Sequence, residues 1–205
     1  MNASGGRVYV LDDDPEMVKA LTRLLRAKRF EALGFTSACT FLEAYRPEHI
    51  ACLVLDVSMP ELDGLELQRR LTNQGRLIPI IFLTGHGDIP MSVRAVKAGA
   101  TDFLTKPADA AALVQAVRAA LQLAETRCRE AAETAALAAR LARLTPRQLE
   151  VMKHIVAGQL NKQIAFDLGT GEQNIKLHRA QIMKKMGVES LADLVRVAER
   201  LGIGK

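Results

Sequence analysis

No stretch of the chain approaches the roughly 20 consecutive apolar residues that a membrane-spanning helix needs. The N-terminus, Met1-Asn2-Ala3-Ser4-Gly5-Gly6, has neither the basic nor the apolar region of a secretory signal. A cytoplasmic protein with no membrane partner is therefore expected. Cysteine is scarce: Cys39, Cys52 and Cys128 lie far apart and form no CxxC pair, which argues against a disulfide framework and a zinc site. They read as core or linker thiols. Disorder is excluded as well, because 49% hydrophobic residues over 205 positions can bury a core in one large domain or two modest ones.

Charge of one sign is lacking overall but not locally. Residues 1–122 carry 14 basic and 14 acidic side chains, residues 123–143 carry 4 and 3, and residues 144–205 carry 10 and 6. Most of the net +5 thus sits in the last segment, which suggests a polyanionic partner without by itself identifying DNA.

What the chain does have is polar chemistry at the ends of short β-rich runs. Arg7 to Leu11 ends in Asp12-Asp13-Asp14, Cys52 to Leu55 ends in Asp56, Ile78 to Leu83 ends in Thr84, and Asp102 to Thr105 ends in Lys106-Pro107. Another run lies at Glu31 to Phe35. Helical spacing recurs between the runs, at Met17, Leu21, Leu24 and Leu25, at Leu65, Leu67 and Leu71, and at Val93, Val96 and Lys97 before Gly99. This order predicts a doubly wound α/β domain with five parallel strands and five helices. Ligands bind at the C-terminal edge of such a sheet, so the carboxylates, the hydroxyl and the ammonium should converge on one site.

From Asp109 the helical pattern runs on. Leu113, Val117, Leu121, Ala124 and Cys128 keep a three-four rhythm, and no Gly or Pro occurs up to Leu144. A solvated Ala-rich spacer is favoured over a dimeric coiled coil, since small Ala and Cys occupy most seam positions. Thr145-Pro146-Arg147-Gln148 then combines a capping box with Pro at the first helical position. A helix should run to about Val156 and end at Gly158, Asn161 should cap a short helix through Leu168, and Gly169 to Gly171 should turn the chain. Glu172 to Met186 should form a longer helix ended by Gly187, and Ser190 should cap a last one to Leu201. Four helices with a tight Gly turn in the middle have helix-turn-helix anatomy. The expected division is an α/β domain over 1–122, a helical linker over 123–143 and an all-α domain over 144–205.

Asp12, Asp13 and Asp56 make an oxygen-rich pocket suited to Mg²⁺. Crowded carboxylates repel one another and destabilise the fold unless a cation is present. Asp14 precedes Pro15 and is expected to be an N-cap instead. Lys106, held by the following Pro107, should point back over the sheet edge opposite Asp56. A carboxylate flanked by Mg²⁺, Lys106 and the Thr84 hydroxyl is poised as a nucleophile toward phosphorus, with an aspartyl phosphate as product. A phosphatase or phosphotransferase with an Asp nucleophile is the rival, but it needs a second acid for the leaving group, and Val57-Ser58 supply none.

Together with Thr84-Gly85-His86-Gly87-Asp88-Ile89-Pro90 and Ala98-Gly99-Ala100-Thr101-Asp102-Phe103-Leu104, these residues resemble a response-regulator receiver domain over 7 to about 122. Residues 144–201 resemble the LuxR/NarL-type helix-turn-helix, and the pairing is similar to FixJ-type regulators. The resemblance implies a flavodoxin-like five-stranded receiver joined by a long helix to a four-helix DNA-binding domain. It implies that Asp56 is the phosphoacceptor, and that Asp13, Asp56 and the Ser58 backbone carbonyl hold Mg²⁺ with Asp12 acting through water. Thr84 and Lys106 would bind the phosphoryl group, and Phe103 matches the family's rotating aromatic. The protein would be a stoichiometric phosphoacceptor and not a turnover enzyme. A sensor histidine kinase would phosphorylate it, and a homodimer formed through the fourth helix, fifth strand and fifth helix would bind a two-fold double-stranded DNA operator. RNA polymerase is a further candidate partner. His86 reads as a loop residue. An RNA-binding antiterminator is a weaker alternative, because its output lacks a capped four-helix unit. A regulator independent of phosphorylation stays open on account of Ala108, where related receivers usually carry Phe; a difference is expected in how that loop packs on the last helix.

In the longer C-terminal helix, Ile175, Ile182, Met183 and Met186 should face inward, leaving Gln173, Asn174, Lys176, Arg179, Lys184 and Lys185 outside. A helix so placed suits the major groove, where base edges are read by Lys, Arg, Asn and Gln. By resemblance, Lys176, Leu177 and Ala180 fall where bases are met, Lys162, His178, Arg179 and Lys184 are candidates for backbone phosphate, and Asn174 is a further DNA-binding candidate on the same helix. Gly171 replaces a usual Ser or Thr and Asn174 a usual Thr, so a looser turn is expected, and Ala180 is too short to hydrogen-bond a base. On the last helix Leu191, Leu194, Val195, Val197 and Ala198 are expected to serve the core and dimer contacts.

Overall fold

The structure, a computed structural model, describes residues 6–60, 62–85 and 101–203. Five strands, β1 (Arg7–Leu11), β2 (Glu31–Phe35), β3 (Ala51–Asp56), β4 (Ile80–Thr84) and β5 (Asp102–Thr105), form one parallel sheet in the order β2-β1-β3-β4-β5. Helices α1 (Pro15–Ala27), α2 (Ala38–Ala44) and α3 (Gly64–Asn73) lie between strands, and α4 (Ala110–Leu141) follows the last one. The helix expected around Val93, Val96, Lys97 and Gly99, and the loop with His86, lie outside the described residues. β4 begins at Ile80 and not at Ile78 because Pro79 has no N–H for the ladder, while its carbonyl still accepts from the Leu53 N–H at 2.9 Å.

Alternation along the strands divides the sheet's side chains between two cores. Tyr9, Leu11, Leu53, Leu55 and Phe82 join Phe41 of α2 and Leu67 and Leu71 of α3. Val8, Val10, Cys52, Val54, Ile81 and Leu83 join Leu21 and Leu25 of α1 and Leu113, Ala116, Val117 and Ala120 of α4. With both faces covered, β3 and β4 are buried along their whole length, which explains their unbroken apolar sequences. Asp14 caps α1 as expected, its Oδ1 accepting from the Glu16 N–H at 2.9 Å with Pro15 in the first helical position. Seven-residue α2 is too short to display a period; its one local signal is Ser37, whose Oγ accepts from the Thr40 N–H at 3.3 Å. Cys52 is core and Cys128 lies on α4, but Cys39 is neither core nor linker: it is exposed on α2, because Ala38 and Phe41 take the buried side of that helix.

The chain divides into two compact units, 1–128 and 129–205, and α4 begins in the first and ends in the second. The second unit adds α5 (Pro146–Val156), α6 (Asn161–Asp167), α7 (Glu172–Met186) and α8 (Leu191–Arg200). Its core gathers Val151, Met152, Ile155, Ile164, Ile175, Ile182, Met186, Leu194 and Ala198. The capping box closes in both directions: Thr145 Oγ1 accepts from the Gln148 N–H at 3.2 Å, and Gln148 Oε1 from the Thr145 N–H at 3.1 Å. Asn161 is not the cap of α6 but its first helical residue. Leu160 holds the cap position and its N–H is taken by Gln163 Oε1 at 2.8 Å, while the Asn161 side chain accepts from Arg179. Gly187 ends α7 in the left-handed region at φ 67°, and Ser190 Oγ caps α8. Among the described residues no helix is long and apolar enough to cross a membrane.

Candidate functional site

Strand register builds the acidic site. Leu11 pairs with Leu55, so Asp12 follows beside Asp56; Asp56 pairs with Leu83, which brings Thr84 next, and Thr84 pairs with Thr105, which delivers Lys106. Asp12, Asp56 and Thr84 are buried, at 1%, 5% and 3% exposure, and Asp13 is exposed at the rim. Lys106 Nζ donates to Asp12 Oδ2 at 2.6 Å and pairs with Asp56 Oδ1 at 2.9 Å. The Lys106 N–H is itself anchored on the Thr84 carbonyl at 2.7 Å, and the Lys106–Pro107 peptide is cis. Backbone N–H groups satisfy the other oxygens: Asp14 donates to Asp12 Oδ1 at 3.1 Å and Ser58 to Asp56 Oδ2 at 3.2 Å.

One oxygen from each of Asp12, Asp13 and Asp56 lies within 4.8 Å of the others. Burial pushes the Asp12 carboxyl above its ordinary range, and Asp56 adds to this, against the lowering effect of Lys106 and the Asp14 N–H. Burial would lower Lys106, but its hydrogen bonds to Asp12 and Asp56 outweigh that and hold the ammonium above its ordinary value. Three carboxylates against one ammonium leave an excess of negative charge in an all-oxygen setting, and a hard divalent cation fits such a donor set. Gly64, the first residue of α3, sits against this strand end: a Cβ there would lie 2.5 Å from the Asp56 carbonyl oxygen.

Phe103 is half-buried against the first core, its ring centroid 6.5 Å from that of Phe82. Ala108 packs on the second core, to which Leu113 and Val117 of α4 belong. A cleft of about 430 Å³ beside Asp13, which Pro15, Met59, Pro60 and Leu62 help to line, is not evident from sequence. The Met59-Pro60 pair that follows Asp56-Val57-Ser58 was its only local signal.

In the second unit, Gln173, Lys176, Leu177, Ala180 and Lys184 are all exposed and share one face of α7 by their three-four spacing. Lys176 pairs with Glu172 at 3.3 Å, and Leu177 is 57% exposed. The turn before α7 is held by Asn174, whose Nδ2 donates to Thr170 Oγ1 at 3.1 Å, with Gly169 left-handed at φ 60°. Gly171 in the cap position of α7 offers no side-chain cap. Arg179 and His178 are half-buried, and Arg179 Nη1 donates to Asn161 Oδ1 at 3.1 Å. Lys162 is exposed on α6, and Phe166, four residues on, is 87% exposed because Ile164 and Ala165 take the buried side. Lys185 is not on the outer face: it is half-buried, with Nζ donating to Gln148 Oε1 at 2.7 Å and to the Arg143 carbonyl at 2.9 Å. On α8, Leu194 and Ala198 are buried, Val195 and Val197 are intermediate, and Leu191 is 42% exposed.

Residues 8–118 match the family described as response regulator receiver domain, and residues 142–198 match bacterial regulatory proteins, luxR family. The chain is 46% identical over 201 residues to the response regulator protein TmoT of Ectopseudomonas mendocina, covering 98% of this chain and 91% of that protein. It is 41% identical over 198 residues to the transcriptional regulatory protein FixJ of Bradyrhizobium diazoefficiens, covering 97% of each. Among solved structures, the response regulator StyR superposes with a TM-score of 0.82 at 45% identity, over 96% of this chain and 100% of that one.

Proposed function

The chain belongs to the two-component response regulators that join a receiver domain to a LuxR-type DNA-binding domain, and from that premise we propose that Asp56 is phosphorylated by a sensor histidine kinase and that this modification governs DNA binding. The observation that carries the proposal is the Lys106 ammonium shared by the buried Asp12 and Asp56 carboxylates at one sheet edge. An Asp56 oxygen attacks phosphorus, the bond from phosphorus to the donor's imidazole nitrogen breaks, and a mixed anhydride forms on the side chain. Asp12, Asp13, Asp56 and the Ser58 carbonyl are the residues to hold Mg²⁺, which when bound neutralises phosphoryl oxygens. Lys106 leaves Asp12 for the new phosphoryl oxygens, and the Thr84 hydroxyl supplies a further donor.

Phosphorylation adds roughly two negative charges at the sheet edge. Thr84 moves toward them and Phe103 follows into the space, which alters the surface around β5 and the start of α4 that forms the dimer face. Two copies then place two helix-turn-helix units on a two-fold DNA operator in the cytoplasm, with RNA polymerase as a further partner. Lys176, Leu177 and Ala180 face base edges. Lys162, His178, Arg179 and Lys184 serve phosphates, and Asn174 positions the turn beside them. Asp56 acts once per phosphoryl group, so the protein is a stoichiometric acceptor and not a turnover enzyme.

The test is intact mass, sedimentation and DNA binding of wild type and Asp56→Asn after treatment with a small acyl phosphate and Mg²⁺. The wild type is expected to gain one acid-stable, base-labile phosphoryl group, to dimerise and to bind DNA more tightly, and Asp56→Asn to do none of these. An Asp56→Asn protein that dimerises and binds DNA as the treated wild type does would overturn the proposal.

A further inference from the structure

Two adjacent lysines at the end of α7 have opposite surroundings, and we infer that Lys185, with Gln148 and Arg140, is a positioning residue that sets how α7 is held for reading DNA, whereas Lys184 alone of the pair faces the nucleic acid. The inference rests on the DNA-binding reading above. One helical step of about 100° separates the two side chains. Lys184 is exposed, while Lys185 turns toward Gln148, which is 4% exposed at the start of α5.

Gln148 is the hub of this contact. Its Oε1 accepts from the Thr145 N–H at 3.1 Å and from Lys185 Nζ at 2.7 Å, and its Nε2 donates to Gln181 Oε1 at 2.8 Å. The side chain that closes the capping box of α5 therefore also binds two residues of α7, one turn apart. A buried amide with both ends occupied tolerates little movement of either helix, since a shift of α7 weakens both of its bonds and leaves the Nε2 donor without its partner.

A reciprocal pair of cations completes the arrangement. Arg140 of α4 donates from Nη1 to the carbonyl of Met186, the last residue of α7, at 3.1 Å. Lys185 of α7 donates to the carbonyl of Arg143, two residues past the end of α4, at 2.9 Å. Each helix thus supplies a cation to the carbonyl-rich end of the other, where a positive charge is favoured. Gly187 leaves the room for it: a Cβ there would lie 2.8 Å from Arg140 Nη1. Arg200 of α8 joins the same stretch of α4, contacting Glu133 Oε2 at 3.1 Å, the Glu130 carbonyl at 3.0 Å and Thr134 Oγ1 at 3.1 Å. Residues 129–143 accordingly belong to the machinery that orients α7, and a displacement of that stretch reaches the DNA-facing side chains through Arg140 and Lys185. Base readout demands placement within a fraction of an ångström, whereas attraction to phosphate does not, so loss of the clamp should lower specificity more than general affinity.

The experiment uses full-length protein, a duplex selected by the wild type from a random pool, and an unselected duplex, each titrated over a range of salt, with thermal unfolding measured in parallel. Lys184→Gln should lower the slope of log affinity against log salt by about 0.9 and leave the ratio of selected to unselected binding close to wild type. Lys185→Met should lower that ratio roughly tenfold or more and leave the slope within about half a unit. Gln148→Met should behave as Lys185→Met, while Gln148→Glu, which keeps the acceptor for both Thr145 and Lys185 and loses only the donor to Gln181, should recover most of the ratio. Should Lys185→Met fail to fold, Arg140→Gln carries the same expectation with Gln148 and Lys185 left in place. A Lys185→Met or Arg140→Gln protein with an unchanged ratio overturns the inference, as does a slope that falls like that of Lys184→Gln. A wild type that selects no sequence at all instead overturns the DNA-binding reading on which it rests.

Discussion

Lys106 lies closer to Asp12 than to Asp56, 2.6 Å against 2.9 Å, although its place before Pro107 at the sheet edge suggests only the second pairing. One ammonium from the end of β5 thereby balances a carboxylate from the end of β1 and another from the end of β3. Under the proposed function, Mg²⁺ held by these carboxylates would compete with Lys106 for Asp12, leaving the ammonium available to a phosphoryl group on Asp56. On that reading, metal binding and phosphoryl recognition would be coupled through this single side chain.

Removing that ammonium should destabilise the metal-free protein in a pH-dependent way. Lys106→Met leaves two buried carboxylates uncompensated, with an expected loss of about 1–3 kcal/mol near neutral pH. Burial already holds Asp12 above its ordinary value of 3.8, so the folded state binds this proton more tightly than the unfolded chain does. Its contribution to stability therefore declines as pH rises from the unfolded value through the raised folded one. Lys106 opposes the rise, so the variant should lose stability more steeply over that window. Urea unfolding in chelator at about pH 4.5 and 7.5 checks this; an equal deficit at both pH values would contradict it.

Magnesium should stabilise the wild type by about 2.7 kcal/mol at a hundred times its dissociation constant. Asp13→Asn should lose most of that gain. In chelator the same variant should be slightly more stable than wild type, by up to about 1 kcal/mol, since a repulsive charge is gone. Thermal unfolding with Mg²⁺ and with chelator separates the two effects.

Gly64→Ala should impair the site without touching an acidic residue. A Cβ 2.5 Å from the Asp56 carbonyl oxygen must push the start of α3 away from β3. We expect a loss of about 1–3 kcal/mol and slower phosphorylation of Asp56, read by urea unfolding and by intact mass over time. Wild-type rates would show that the strand end absorbs the shift.

Thiol chemistry should divide the three cysteines. Burial pushes the Cys52 thiol up to about 12, whereas Cys39 and Cys128 are exposed. A disulfide reagent near pH 8 should label Cys39 and Cys128 in the native protein and Cys52 only on unfolding. Rapid native labelling of Cys52, located by peptide mass, would show that β3 opens.

Much of this was legible locally. The parallel strands announced themselves as apolar runs ending in Asp, Thr or Lys, the capping box at Thr145 to Gln148 marked the start of α5, and Asp14-Pro15 marked the start of α1. Short α2 was not legible, because seven residues complete too few turns for a period to stand out. Nor could composition tell that Cys39 and Phe166 face solvent, since each lost the buried side of a short helix to its neighbours.

By itself the sequence determined the five strands, the caps at Asp14, Thr145 and Ser190, and the polar residue closing four of the strands, all of which depend on neighbours a few positions away. Only the tertiary structure decided that Lys106 is shared with Asp12 and that Lys185 turns from the outer face to Gln148, 37 positions earlier. Where a long, flexible cation points is set by which buried acceptor lies within reach. That acceptor is brought there by strand register and helix packing, and spacing along the chain carries no record of it.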